Sequence, residues 1–366
     1  MTWSWKLARV AGIDVYVHAT FLMVVAWIAL IYWNQSQRVQ AVVEGVGFIL
    51  ALFACIVLHE LGHALTARRY GIRTRDITLL PIGGLARLER MPDEPIQELW
   101  VALAGPAVNV VIALFLFIWL QASGLWESVD RLGVAIGGFA ERIMVANAVL
   151  AGFNLLPAFP MDGGRALRAL LATRMEYTRA TQRAAMIGQG MAIFFGFVGL
   201  QGNPMLIFIA LFVWIGAGQE ASIAQMKSSL AGIPVRQAML THFRTLIPDN
   251  TLGDAVDLLL TGSQQDFPVV SDGQVEGMLT RKDLIAALTR GGRNARVGDH
   301  IERTCATAEA SDMLETVLAR LQARNCHTVP IMERGRLIGL VTMDNVGEFL
   351  MVQAAARKNL PDVPVP

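Results

Sequence analysis

The sequence predicts a polytopic α-helical membrane protein of about six transmembrane helices with a C-terminal cytosolic α/β domain. Three observations lead to this fold class: a mean hydropathy of +0.46 with only 17% charged residues, long apolar runs within residues 17–220, and a repeat in the less apolar residues 235–352. Ordinary soluble domains contain about 25% charged residues. The net charge of +1, without a sustained basic stripe, argues against a nucleic-acid partner.

The apolar runs are long enough to be membrane spans, because a helix needs about 20 mostly apolar residues to cross the hydrocarbon core. Six segments meet this requirement: 17–34, 42–67, 98–120, 134–156, 184–200 and 204–220. Arginine and lysine cluster before the first segment and after the second and fourth, whereas the opposite loops carry only Arg38 and Arg131. We therefore expect a multi-pass protein of the cell membrane with both termini in the cytoplasm.

The string HELGH, residues 59–63, lies at the end of the second segment. Helical periodicity places His59 and His63 one turn apart on one face, where two neutral imidazoles can chelate one metal ion. Glu60 then lies beside the metal and can take a proton from a bound water. Such strings also occur by chance on solvated helices, but ionisable groups at membrane depth are rare and mark functional sites.

A catalytic zinc arrangement of two histidines, one carboxylate and an open position needs a third protein ligand. Asp162 lies in GFNLLPAFPMDGGR, residues 152–165, after two prolines and before two glycines. Irregular backbone persists at membrane depth only where it is buried in protein or lines a wet cavity. We expect Asp162 to be the third ligand, and a simple turn residue is the alternative.

Together these strings resemble the site-2 protease family of intramembrane zinc metalloproteases, in its subgroup with a C-terminal pair of CBS domains. HELGH is similar to the family's HExxH, NLLPAFPMDGGR to its Asn…Pro…Asp-Gly motif, and AGPAVN (104–109) to its Gly-Pro-x-x-Asn element. One difference is that Asp162 follows Pro160 and Met161, where the family often has Asn-Pro or Pro-Leu. The resemblance covers essentially the whole chain.

The resemblance implies an active site and a class of substrate. One Zn²⁺ per chain is expected on His59, His63 and Asp162. Glu60 is expected to act as general base in the hydrolysis of a peptide bond. The implied substrate is a single-span membrane protein, such as a membrane-bound regulator or an anti-sigma factor, cut in or near its transmembrane segment within the lipid bilayer.

Further polar residues are assigned on the same resemblance. Asn154 is expected to bind the oxyanion or the unwound substrate. Asn109 is the second candidate, although a buried asparagine in a span also serves interhelical packing. His18, at the start of the first segment, is interpreted as a polar residue at the membrane interface, with an approach to the metal site as the alternative.

The segment ITLLPIGGLARLER, residues 77–90, predicts a short hairpin beside HELGH. In the family a membrane-dipping sheet edge lies there. Such an edge could take up an extended substrate as an added strand. A plain connector is the alternative.

Residues 235–352 align with themselves at a constant offset of 62, which pairs Val235 with Val297 and Gly277 with Gly339. Each copy predicts a helix, two short strands and a further helix, and such a unit stacks on its duplicate to complete a core. The expected domains are a transmembrane metalloprotease domain at 1–222, a linker at 223–234, a tandem CBS module at 235–355 with repeats 235–290 and 297–352, and a tail at 356–366.

The strings GMLTRKDL and GLVTMDNV resemble the closing strand and turn of CBS domains, pairs of which bind adenine nucleotides in many members. The resemblance implies contacts to ATP, ADP or AMP at Thr280 and Asp283, and at Thr342. Asn345 replaces the acidic residue in the second copy, so we expect one occupied nucleotide site rather than two. A module that dimerises without a ligand is the alternative, and a homodimer through these domains is left open.

The expected function is intramembrane proteolysis by a zinc endopeptidase whose CBS pair responds to adenine nucleotide. The rival is an ion transporter or channel gated by the CBS pair, which needs no glutamate between two histidines and for which the spans show no inverted repeat. An inactive metal-binding scaffold is disfavoured because all the motif residues are present. The residues alone leave the metal open, since two histidines and a carboxylate also suit other divalent ions.

Overall fold

The computed structural model describes residues 3–81, 83–92, 94–124, 137–303, 307–324 and 327–358. The chain divides into two compact units, residues 1–225 and 226–366. From residue 359 onward, the expected tail lies outside the described residues.

The first unit combines a small sheet with long helices. Its strands are β1 (Ser4–Val10), β2 (Ile13–His18), β3 (Thr74–Leu80) and β4 (Gly83–Leu88). Its helices are α1 (Ala19–Ser36), α2 (Val39–Arg69), α3 (Pro95–Ser123), α4 (Phe139–Asn154), α5 (Asp162–Ala172), α6 (Tyr177–Leu200) and α7 (Pro204–Leu230), the last of which continues past the division between the units.

Five of these helices, α1, α2, α3, α6 and α7, are long and apolar enough to cross a bilayer. They confirm the polytopic membrane architecture. The helix in the fourth expected segment, α4, has 16 residues, or about 24 Å at 1.5 Å per residue, which is shorter than the ~30 Å hydrocarbon core. The start of that segment falls in residues 125–136, outside the described part of the chain, so a sixth crossing stays a prediction.

The sheet has the order β1-β2-β3-β4, with β2 and β3 parallel and the other pairs antiparallel. Its buried face packs on α2, where Ile13, Val15 and Ile77 form a core with Leu61 and Ala64. The hairpin expected at residues 77–90 is present as β3 and β4. Strands β1 and β2 were not predicted from the sequence, and they extend this hairpin into a four-stranded sheet with β4 at one end.

His18 ends β2 and caps α1. Its Nδ1 accepts a hydrogen bond of 3.3 Å from the Thr20 amide and lies 2.7 Å from the Thr20 hydroxyl. A cap of this kind satisfies an amide that the first turn of a helix leaves unpaired. The structure therefore gives His18 a structural role at the start of the first long helix, and it is not part of the cluster that could hold a metal ion.

The second unit repeats one pattern twice. Its first half contains α8 (Leu252–Thr261), β5 (Phe267–Ser271), β6 (Gln274–Leu279) and α9 (Arg281–Gly291). Its second half contains β7 (Ala308–Glu309), α10 (Leu314–Arg324), β8 (Thr328–Glu333), β9 (Arg336–Thr342) and α11 (Met343–Lys358).

The two halves have equivalent cores. The first is built on Leu252, Phe267 and Leu279, and the second on the residues that follow them by 62 positions, Leu314, Val329 and Val341. The halves are also linked at equivalent positions, because the Thr328 hydroxyl donates a buried 2.7 Å hydrogen bond to Oδ2 of Asp266. The expected duplicated α/β module is therefore present.

Candidate metal centre and active site

His59, His63 and Asp162 meet at one point in the first unit. The Nε2 atoms of the two histidines are 3.1 Å apart. Oδ2 of Asp162 lies 3.2 Å from Nε2 of His59 and 3.1 Å from Nε2 of His63. Among the described residues, this is the one group of three or more histidine, cysteine, aspartate or glutamate side chains close enough to share a metal ion.

The dimensions of this triangle fit zinc. Ligands about 2.0 Å from a tetrahedral ion are about 3.3 Å from one another, close to the 3.1–3.2 Å edges observed here. The sequence brings the atoms together in two ways. Helical spacing aligns the histidines on α2, whereas the irregular residues 155–161 between α4 and α5 place Asp162 at the first position of α5.

The hydrogen bonding of His63 also favours a cation. Its Nδ1 lies 2.7 Å from the carbonyl of Val101 on α3, and a carbonyl can only accept, so Nδ1 carries the hydrogen. Nε2 of the neutral ring is then an unprotonated acceptor that faces the Asp162 carboxylate and the other imidazole. Lone pairs and a negative charge facing one another repel unless a proton or a metal ion lies among them.

Glu60 lies between this cluster and the sheet. Its Oε2 accepts a 3.2 Å hydrogen bond from the amide of Ala86 on β4. Gly84 on the same strand leaves room for the carboxylate, since a Cβ there would lie 2.7 Å from Cγ of Glu60. The expected general base is therefore held against the end strand of the sheet.

A cavity of about 520 Å³ is lined by the three clustered side chains, Glu60 and β4. Both expected asparagines line it as well. Asn109 is 1% exposed, and its Oδ1 has no hydrogen-bond partner among the described residues. Asn154, at the end of α4, is half-buried. The cavity is large enough to take an extended peptide segment, and both asparagines line the space that such a segment would fill.

The expected nucleotide residues lie at two equivalent helix starts in the second unit. Before α9, the Thr280 hydroxyl donates to Oδ2 of Asp283 at 2.6 Å and accepts from the Asp283 amide at 3.1 Å. Before α11, Thr342 accepts from the Asn345 amide at 3.2 Å. The two positions share their geometry but differ in charge, because only the first carries a carboxylate.

Three charged residues beside the metal cluster were missed as site residues. Arg165 lines the cavity, and its buried Nε has no partner among the described residues. Glu98 and Arg168 form a buried ion pair. Arg165 and Arg168 contributed to the loop charge used for orientation, although both lie beside an apolar segment. These residues could have been recognised as candidates, because ionisable groups at membrane depth are costly and mark functional sites.

Comparison with known proteins agrees with the family that the sequence motifs resemble. Residues 47–142 match Peptidase family M50, and residues 235–290 and 297–351 match CBS domains. A zinc metalloprotease of Methanocaldococcus jannaschii is 32% identical over 350 residues, covering 94% of this chain and 96% of that protein. Stage IV sporulation protein FB of Bacillus subtilis is 28% identical over 169 residues, covering 46% of this chain and 51% of that protein.

Among solved structures, the site-2 protease of Methanocaldococcus jannaschii is 35% identical to the part of the chain that it matches. The match covers 60% of this chain and 95% of that chain, with a TM-score of 0.43.

A helical membrane unit with two histidines and an aspartate facing a cavity defines a class, the intramembrane metalloproteases. Because the similarity to a zinc metalloprotease spans nearly the full length of both proteins, the chain belongs to Peptidase family M50, the site-2 proteases, with a C-terminal pair of CBS domains. It is a zinc metalloendopeptidase of multi-pass membrane architecture, as the resemblance implied.

Proposed function

We propose that the His59, His63 and Asp162 triangle holds the zinc ion and that Glu60 is the general base. The observation that carries this proposal is the three-atom cluster with 3.1–3.2 Å edges, which shares one cavity with the Glu60 carboxylate. The reaction is hydrolysis of a peptide bond in or near a transmembrane segment of a membrane protein.

Each side chain has a distinct part in this reaction. A zinc ion held by His59, His63 and Asp162 would supply Lewis-acid chemistry, which would polarise the substrate carbonyl and make a water molecule acidic enough to attack near neutral pH. Glu60 takes the proton of the attacking water and returns it to the leaving amine. The carbonyl of Val101 keeps His63 in the tautomer that offers Nε2. Asn154 donates to the developing oxyanion, and Asn109 is the second candidate for that contact.

The substrate must be presented as an extended chain, because a helical peptide bond is shielded by its own hydrogen bonds. We propose that the substrate pairs with β4 as an added strand. Two observations support this. β4 ends the order of the sheet, and the Ala86 amide donates to Glu60 rather than to β3, so the outer edge of β4 faces the cavity.

The substrate class and the membrane orientation are part of the same proposal. We propose a single-span substrate, such as a membrane-bound regulator or an anti-sigma factor, cut near the cytoplasmic face. Both termini of the protease then lie in the cytoplasm. The support is the clustering of positive charge after the second and fourth expected segments, formed by Arg68, Arg69, Arg73, Arg75, Arg87, Arg90, Arg165, Arg174, Arg179 and Arg183. Arg168 adds nothing to this support, because it is buried in an ion pair with Glu98.

The CBS module is proposed to bind ATP, ADP or AMP and to modulate cleavage. Thr280 and Asp283 are the proposed contacts in the first repeat, supported by a carboxylate at the start of a helix next to a hydroxyl. Thr342 contributes in the second repeat, where the carboxylate is absent. The proposed linker at 223–234 follows the protease domain at 1–222, although α7 keeps its helical form to Leu230. A homodimer through the CBS module is the alternative use of this domain.

Metal removal tests the proposed function directly. The full chain is purified in detergent, incubated with a panel of single-span membrane proteins, and assayed before chelation, after chelation and after zinc is restored. We expect cleavage that chelation abolishes and zinc restores. A protein that contains no metal, cuts no substrate and conducts ions when placed in liposomes would instead be the CBS-gated transporter.

A further inference from the structure

Arg168 of α5 is the centre of a buried cluster of charged and aromatic side chains. Its Nε and Nη2 both donate to Oε1 of Glu98 on α3, the first at 2.9 Å, and its Nη1 donates to Glu220 on α7 at 3.1 Å. The guanidinium lies 5.1 Å from the ring centre of Phe159 and 5.0 Å from that of Tyr177. The Arg168 and Glu98 side chains are only 4% and 3% exposed. These contacts fix α5 against α3.

Stability does not explain such a pair. Apolar side chains of similar volume in place of a buried ion pair often leave a protein equally stable or more stable. In addition, Oε2 of Glu98 is buried and has no hydrogen-bond partner among the described residues, so the charge is incompletely satisfied. In some proteins a buried directional pair instead selects one arrangement of the elements that carry it, which here are α3 and α5.

Both partners lie close to the metal cluster along their helices. Asp162 is the first residue of α5, six positions before Arg168. On α3, Val101 follows Glu98 by three positions, and its carbonyl accepts the hydrogen bond from His63. Residues three apart on a helix lie on the same face. One turn of α3 therefore contacts a ligand histidine through its main chain and the helix of the ligand aspartate through Glu98.

We propose that Glu98 and Arg168 are positioning residues that hold Asp162 within ligand distance of the two histidines. This proposal rests on the proposed zinc site. Neither residue touches the metal or the substrate. Loss of the pair lets α5 move relative to α3, which weakens metal binding even where the protein remains folded.

The test replaces the pair by apolar residues of similar volume. Arg168→Met alone leaves Glu98 buried without its partner and is expected to lower Tm. The double variant Glu98→Leu/Arg168→Met removes both charges, and Glu220, whose side chain is 28% exposed, can be hydrated instead. We expect the double variant to unfold near the wild-type Tm but to bind Zn²⁺ and Co²⁺ about 10–100-fold more weakly, the usual effect of losing support around a metal ligand.

Three readouts on the full chain in detergent separate positioning from stability: Tm, metal affinity by chelator competition, and the visible absorption of the Co²⁺ form, which reports ligand geometry. Adding the double replacement to Asp162→Ala should cause no further loss of metal affinity, because the pair acts through Asp162. The control is Phe21→Ala, which removes a ring 4.5 Å from that of Phe53 and should lower Tm without changing metal affinity.

A double variant with wild-type metal affinity and Co²⁺ spectrum overturns the proposal. An equal further loss in the Asp162→Ala background overturns it too. If the double variant does not fold, Glu98→Ala replaces it, since this change removes the link between α3 and α5 while Arg168 keeps its bond to Glu220. Wild-type metal affinity in Glu98→Ala would likewise overturn the proposal. A wild-type chain that binds no metal would overturn the proposed zinc site itself, which distinguishes the two failures.

Discussion

Gly105 of α3 packs directly against the imidazole of His63: a Cβ at position 105 would lie 2.2 Å from Nε2 of His63 and 2.6 Å from Nε2 of His59. Only a residue without a side chain allows α3 to approach the cluster so closely. The same helix supplies the Val101 carbonyl that bonds Nδ1 of His63. The proposed metal centre therefore depends on the packing of α3, which carries no proposed ligand, as well as on α2, which carries two.

Gly105→Ala should therefore disrupt metal binding. The added methyl group forces both imidazoles away from the positions that face Asp162. We expect zinc affinity, measured by chelator competition, to fall by at least about 100-fold, the upper end of the effect of changes around metal ligands. Gly47→Ala on α2 is the control, because a Cβ there meets nothing within 4 Å. Equal zinc affinity in the two variants would show that the close packing does not shape the site.

Gly84→Ala should affect catalysis and spare the metal. A Cβ at this position on β4 would lie 2.7 Å from Cγ of Glu60 and 3.1 Å from Ile56, so the Glu60 side chain must shift. A misplacement of about 1 Å can cost 10²-fold in rate, and we expect kcat to fall about 10–100-fold with zinc content unchanged. Gly152→Ala, where the new Cβ has open space, should retain wild-type kcat; an equal loss there would show that the contact with Glu60 is not the cause.

The two asparagines in the cavity can be told apart by steady-state kinetics. Removal of a donor to an oxyanion lowers kcat by about 10²–10³-fold. We expect this loss in Asn154→Ala, with KM little changed, and a smaller one in Asn109→Ala. The opposite order would transfer the oxyanion contact to the Nδ2 group of Asn109, which lines the same cavity.

The nucleotide prediction concerns one carboxylate. Asp283→Asn gives the first repeat the residue that Asn345 provides in the second, and it should weaken adenine nucleotide binding about 10–100-fold, as expected for one hydrogen bond to a charged group of about 1.5–3 kcal/mol. Calorimetric titration of the full chain with AMP, ADP and ATP measures this. The control is Asp254→Asn at the start of α8, where Thr251 and Asp254 form the same kind of cap. Equal weakening by both variants would indicate a lost helix cap and no nucleotide contact.

Local patterns predicted the parts of the site that depend on neighbours in the chain. The four-residue spacing placed His59 and His63 on one face, the proline- and glycine-rich stretch marked Asp162 as unusual, and the constant offset of 62 revealed the duplicated module. Each of these features can be recognised in a continuous stretch of the sequence or by comparing the sequence with itself.

Other features depend on contacts between distant segments, and periodicity does not report them. The role of Gly105 depends on the distance between α2 and α3. The pairing of Glu98 with Arg168 depends on the distance between α3 and α5. Arg168 was counted as a loop charge because the residues around it in the sequence do not indicate that its partner is Glu98, 70 residues away. The strands β1 and β2 were missed because β2 runs directly into the strongly apolar helix α1, and because the sheet they join depends on the pairing of β2 with the distant strand β3.

The central claim is that one bound zinc ion and Glu60 act together. It is tested most directly by purifying the wild-type chain and Glu60→Gln side by side and measuring zinc content and cleavage of a single-span substrate for each. Glu44→Gln is the control, since Glu44 lies on the same helix at an exposed position, where it accepts a hydrogen bond from Gln40. We predict about one zinc per chain in all three proteins, with cleavage in the wild type and the control and a loss of at least about 10²-fold in Glu60→Gln. Cleavage at the wild-type rate by Glu60→Gln, or a wild-type chain without metal, would contradict the account.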